Sequence, residues 1–139
     1  MNWIGWALLS ALFAGITAVL AKIGVAGVDS NLATAIRTTV VLVVSWGIAA
    51  IALKPGSLSE ISRRTWVFLL LSGLATTASW LCYFRALQMG PASRVAPVDK
   101  LSVVFAIAFA GIFLHEKLGW HQFVGAGLIV AGAILLTRG

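Results

Sequence analysis

Val95-Ala96-Pro97-Val98-Asp99-Lys100-Leu101-Ser102 sets a carboxylate and an ammonium at the front of an apolar run that continues to Leu114. On insertion scales a charge near the centre of a bilayer costs about 2.5 to 3.5 kcal/mol, so the pair demands a partner, a water-filled cavity or a task. The other four long apolar runs carry at most one interior charge each. Asp99 and Lys100 therefore mark the centre from which the chain is read.

The composition around this stretch is that of a membrane protein. Of 139 residues, 60% are hydrophobic and 10% are charged, whereas about a quarter of residues are charged in an ordinary soluble domain. Runs near 3–24, 31–53, 65–88, 93–115 and 119–137 are long enough to span, because about 20 residues at 1.5 Å rise cross a 30 Å hydrocarbon core. The expected fold class is an all-α integral membrane protein, a single domain over 1–139 with five transmembrane helices. The first run is expected to stay in the mature chain, since no basic residues precede it and four more runs follow.

Local chemistry sets the expected bounds. Gly27-Val28-Asp29-Ser30 reads as a turn with Asp29 or Ser30 free to cap the next helix. Lys54-Pro55-Gly56 stops the second span, and Gly90-Pro91 ends the third as glycine followed by proline. Pro97 is expected in the first turns of the fourth span, where a missing N–H costs few hydrogen bonds. Ser57 and Glu60 have capping-box spacing, which predicts a short surface helix in the longest loop.

Several function classes fall away. One cysteine, Cys82, allows neither an intramolecular disulfide nor a cysteine metal cluster, and it reads as a small packing residue. His115, Glu116 and His121 flank a turn without further ligands, so no metal is expected. No placed nucleophile and base and no glycine-rich phosphate loop are present, so neither an enzyme nor a cofactor is expected. The +6 balance would suggest nucleic acid in a soluble protein, but here the basic residues are divided among short loops and helix ends, so no nucleic-acid partner is implied.

Five spans put the termini on opposite faces of the lipid bilayer. Lys54, Arg63, Arg64 and Lys117 fall on the N-terminal face; Lys22, Arg85, Arg94 and Arg138 fall on the other, with Arg37 and Lys100 deeper. Four against four to six is a weak bias, so by the positive-inside rule the chain has no firmly specified orientation or at most prefers its N-terminus outside. Trp3, Trp6, Trp66 and Trp120 gather near the N-terminal face as an interfacial aromatic belt.

Counting from the middle of each run puts Asp99, Lys100 and Arg37 roughly 6 to 8 Å from the midplane, on the same side. Thr17, Thr38, Trp80, Tyr83 and Ser102 fall in that half too, so four spans contribute to one polar layer. In the third span Ser72, Thr76, Ser79 and Tyr83 form a stripe at helical spacing. Taken singly, such hydroxyls are more often helix-packing groups than ligand contacts. Adjacent residues point about 100° apart on a helix, so Asp99 is expected to address Arg37 while Lys100 snorkels or enters a cavity. An aromatic wall of Trp80 and Tyr83 beside a fixed charge suits a small organic or zwitterionic solute. Gly125, Gly127, Ala131 and Gly132 in the fifth span read as a helix-packing face, within the protomer or against a second copy.

Gly90-Pro91-Ala92-Ser93-Arg94-Val95-Ala96-Pro97, the run Phe113-Leu114-His115-Glu116-Lys117-Leu118 and the glycine-rich Gly125-Ala126-Gly127-Leu128-Ile129-Val130-Ala131-Gly132 resemble the EamA-like repeat of the drug/metabolite transporter superfamily. The resemblance covers the whole chain. It implies one half of an inverted-repeat transporter fold, in which the first four helices surround a central cavity and the fifth packs outside. It further implies a dimer, with the balanced loop charges favouring an antiparallel homodimer of dual topology and alternating access. A small organic solute is the expected cargo and a bacterial or archaeal inner membrane the expected location. Proton coupling would require Asp99 to take up a proton in the cycle, which a tight pair with Arg37 opposes. A dual-topology ion channel and a non-transporting partner subunit are the alternatives.

Overall fold

A computed structural model describes residues 2–53 and 58–138, which contain helices, turns and no strand. The helices are α1 (Trp3–Gly24), α2 (Ser30–Ala52), α3 (Arg63–Met89), α4 (Ala92–Asp99), α5 (Ser102–Phe113) and α6 (Trp120–Thr137). With α4 and α5 counted as one span, five helices among the described residues are long and apolar enough to cross a membrane. The chain is an all-helical, multi-pass integral membrane protein. Its exposed Leu8, Phe13, Val43, Phe68, Phe105 and Leu128 are the side chains that lipid tails solvate at no cost.

The fourth span departs from the expected continuous helix over 93–115. Pro97 lies at the sixth position of α4, beyond the first turn, so it removes a ladder hydrogen bond to Ser93 and crowds that carbonyl. Downstream the ladder tightens: Leu101 N–H donates to Val98 at 3.0 Å, Val103 to Lys100 at 3.1 Å and Val104 to Leu101 at 2.9 Å. These are three-residue rather than four-residue returns. The span also stops earlier, at Phe113, where His115 takes a left-handed φ of 52° and the Glu116 N–H reaches back to the Ala110 carbonyl.

The chain divides into two compact units, Met1–Ile23 with Met89–Gly139, and Gly24–Gln88. In the first, α6 packs on α4 and α5, and its Ala133 is buried. Lys22 Nζ donates to the Gly90 carbonyl at 2.8 Å, tying the end of α1 to the turn before α4. In the second unit α2 and α3 meet at one end, where Val25, Ser30, Ala33, Thr34, Phe84 and Leu87 are buried. The Gln88 side-chain amide donates to the Val28 carbonyl at 2.5 Å and closes that end.

The turn into α2 forms where it is expected. Gly27 takes φ 76°, a left-handed conformation that glycine adopts without strain. Asp29, rather than Ser30, is the cap: its Oδ1 accepts from Asn31 N–H at 2.9 Å and Leu32 N–H at 3.1 Å. Asp29→Ala should lower stability by about 1 kcal/mol, the usual cost of a lost N-cap, measured by unfolding in mixed detergent micelles. The expected short helix at 57–60 does not form across 58–60, which is a turn; its cap Ser57, like the Lys54-Pro55-Gly56 stop, lies outside the described residues.

Candidate functional site

Within the second unit, α2 places Arg37 two turns after its cap, and α3 presents Trp80 and Phe84 one turn apart. The Arg37 guanidinium carbon lies 4.1 Å from the Trp80 ring centroid and 5.7 Å from that of Phe84. Both distances fall within cation–π range, where a desolvated contact stabilises by about 2 kcal/mol. That offsets much of the cost of holding an arginine in the membrane. It leaves one requirement unmet: Arg37 Nη1 is buried and has no hydrogen-bond partner among the described residues. An unsatisfied buried donor costs about 1 to 3 kcal/mol.

The hydroxyls around this cation are committed to their own helices. Thr38 Oγ1 donates to the Thr34 carbonyl at 2.7 Å, Thr34 Oγ1 to Ser30 at 2.8 Å and Thr76 Oγ1 to Ser72 at 2.9 Å. Such back-bonding satisfies a hydroxyl in lipid without any partner helix. Thr76 and Ser79 are exposed, while Trp80 and Tyr83 are half-buried. Tyr83 packs edge-on to Phe84 at 6.5 Å. At the loop end of the same unit, an open groove of about 530 Å³ is lined by Asp29, Ser30, Asn31, Leu81, Cys82 and Arg85. Cys82 is exposed, not packed away as its apolar surroundings suggested.

In the first unit, Lys100 Nζ lies 3.4 Å from Asp99 Oδ2. Neighbours on a continuous helix diverge by about 100°, but here α4 ends at Asp99 and the chain turns before α5. The break lets the two side chains converge. Lys100 thus leans on Asp99 rather than snorkelling independently. Ser102 opens α5 and is exposed, and Thr17 on α1 is half-buried.

On α6, Gly127 and Ala131 are exposed, and an added Cβ at Gly125, Gly127 or Gly132 would meet nothing within 4 Å. Among the described residues, the space around these glycines is open on the Cβ side.

Phe84 and Gln88 were not singled out from the sequence, although Phe84 stands four residues beyond Trp80 and Gln88 three beyond Arg85. That spacing puts Phe84 on the Trp80 face, and Arg85 Nη1 donates to Gln88 Oε1 at 3.1 Å. Among the described residues no group of three or more His, Cys, Asp or Glu could hold a metal ion.

Comparison with known proteins gives a consistent result. The model of the EamA-like transporter family matches residues 1–138. An uncharacterized transporter in the cobO 3′ region of a Sinorhizobium species is 56% identical over 98% of this chain and 96% of its own length. The probable 4-amino-4-deoxy-L-arabinose-phosphoundecaprenol flippase subunit ArnE of Aeromonas salmonicida is 32% identical over 50% of this chain and 60% of its own. The uncharacterized transporter YxxF of Bacillus subtilis is 26% identical over 96% of this chain but only 42% of its own length. No solved structure matches the chain significantly.

Proposed function

The chain belongs to the EamA-like transporter family, and we propose from that membership that it is one five-helix half of a transporter carrying a small organic solute by alternating access between two such halves. The observation that carries this reading is the half-buried, ring-covered Arg37 with its buried, unpartnered Nη1. A charge held in an apolar span with a donor left over is functional by default, and Trp80 and Tyr83 form an aromatic wall for a solute beside it. Asp99 and Lys100, at the interruption of the fourth span, form the gate or coupling element, as broken helices do in inverted-repeat carriers. Thr38, Thr76 and Ser79 in the second unit, and Thr17 and Ser102 in the first, are each proposed as hydroxyl contacts for a solute.

The second half is a second copy in the opposite orientation. Two observations support this: the chain accounts for 42% of YxxF, which leaves that protein room for two such repeats, and the loop charges are evenly divided. The exposed Gly127 and Ala131 face of α6 supplies a surface on which a helix can approach closely. A second reading is favoured by the naming of ArnE as a flippase subunit: the other half is then a different five-helix chain. The proposed location is a bacterial inner membrane.

Reporter tags on both termini test the arrangement. Each terminus should be detected on both sides of the membrane in comparable amounts. A single orientation would overturn the antiparallel homodimer and leave a parallel pair or a second chain. Bilayer currents that rise linearly with solute, without saturating, would replace the carrier with a channel.

A further inference from the structure

We propose that the partner missing from Arg37 is an anionic oxygen, so that the solute is an organic acid: a carboxylate or phosphate on a body apolar enough to lie beside Trp80. This rests on the reading of Arg37 and Trp80 as part of the solute site. A guanidinium has five N–H donors and no acceptor, so only an acceptor can complete Nη1. The rings of Trp80 and Phe84 supply electron-rich faces but no lone pair for an N–H. Carboxylates and phosphates do, and their oxygens match the planar donor fork.

The chain's own carboxylates have other employment or other places. Of its four acidic residues, Asp29 accepts from the first amides of α2 and Asp99 pairs with Lys100. Glu60 lies in the turn before α3, at the opposite end of that helix from Trp80, and Glu116 lies in the loop between α5 and α6. The Thr34 and Thr38 hydroxyl hydrogens are spent on helix carbonyls. A net charge of +6 draws anions rather than cations toward the protein. A lipid phosphate offers the same oxygens as a free organic acid, and the experiment separates the two.

The full chain, in nanodiscs of phosphatidylcholine, is titrated by calorimetry with phenylphosphate, phthalate and benzylamine. The two anions should bind at least about tenfold more tightly than the amine, and Arg37→Gln should weaken them by about ten- to a hundredfold, as expected for a charge-assisted hydrogen bond. Arg37→Lys keeps the charge without the fork and should retain the preference for anions at reduced affinity, which a folding defect would not allow. Equal binding of all three probes, or unaltered anion binding by Arg37→Gln, overturns the proposal. Displacement of phenylphosphate by phosphatidylglycerol at constant ionic strength also overturns it, in favour of a lipid headgroup; lack of displacement supports a free organic acid. Vesicle uptake keeps the two readings apart. Anion binding without uptake retains the anion site and refutes transport. Saturable benzylamine uptake that survives Arg37→Gln refutes the anion and retains transport.

Discussion

Replacing Asp99 with asparagine should reduce the initial rate of solute uptake in reconstituted vesicles by roughly thirtyfold or more, while leaving dimer formation intact. The substitution is nearly isosteric, so packing is unchanged, but it strips Lys100 of its 3.4 Å partner. Both side chains are partly exposed, 57% for Lys100 and 35% for Asp99, but an unpaired charge near the centre of a span costs about 2.5 to 3.5 kcal/mol, and the low end applies to a side chain so exposed. The double variant Asp99→Asn with Lys100→Gln separates two causes. If the loss comes from a stranded ammonium, the neutral pair should recover most of the rate; if the carboxylate itself is needed, the double variant stays inactive. Wild-type uptake by Asp99→Asn would remove the residue from the transport cycle.

Leu87→Ala should produce the largest loss of stability, about 2 kcal/mol in denaturant unfolding from mixed micelles. Leu87 is fully buried, with 0% exposure. In a membrane the driving force differs from that of a soluble core, because lipid tails are as apolar as leucine. What is lost is the set of van der Waals contacts around the removed methyl groups and the void they leave, which is why the low end of the Leu→Ala range applies. Leu74, on the same helix but 68% exposed, is the control. Its alanine variant should change stability by less than about 0.5 kcal/mol, and equal losses at both positions would mean that packing at the Val28 and Gln88 end does not hold the second unit together.

Much of the fold was legible because its signals are local. Asp29 followed by Ser30 announced a cap, and Gly27 announced a turn. Pro97 was legible as a proline in the first turns of the fourth span, but not that the helix is interrupted after Asp99. That interruption decides whether Asp99 and Lys100 diverge or converge. Depth along each span can be counted from the sequence, yet depth says nothing of rotation about the helix axis. Arg37 found the faces of Trp80 and Phe84, whereas the hydroxyls beside it turned inward to their own backbone. Small residues on α6 signalled close packing, but only the structure shows the space on the Cβ side of Gly127 to be open.

The sequence by itself determined that there are five spans and roughly where each begins and ends. These follow from the transfer of each segment into lipid and from turn chemistry, which depend on a few neighbouring residues. Only the tertiary structure decided which rings cover Arg37, that Lys100 holds Asp99, and that one guanidinium nitrogen is left without an acceptor. Those contacts depend on how each helix is rotated and where the fourth span breaks, and hydropathy carries no information on either.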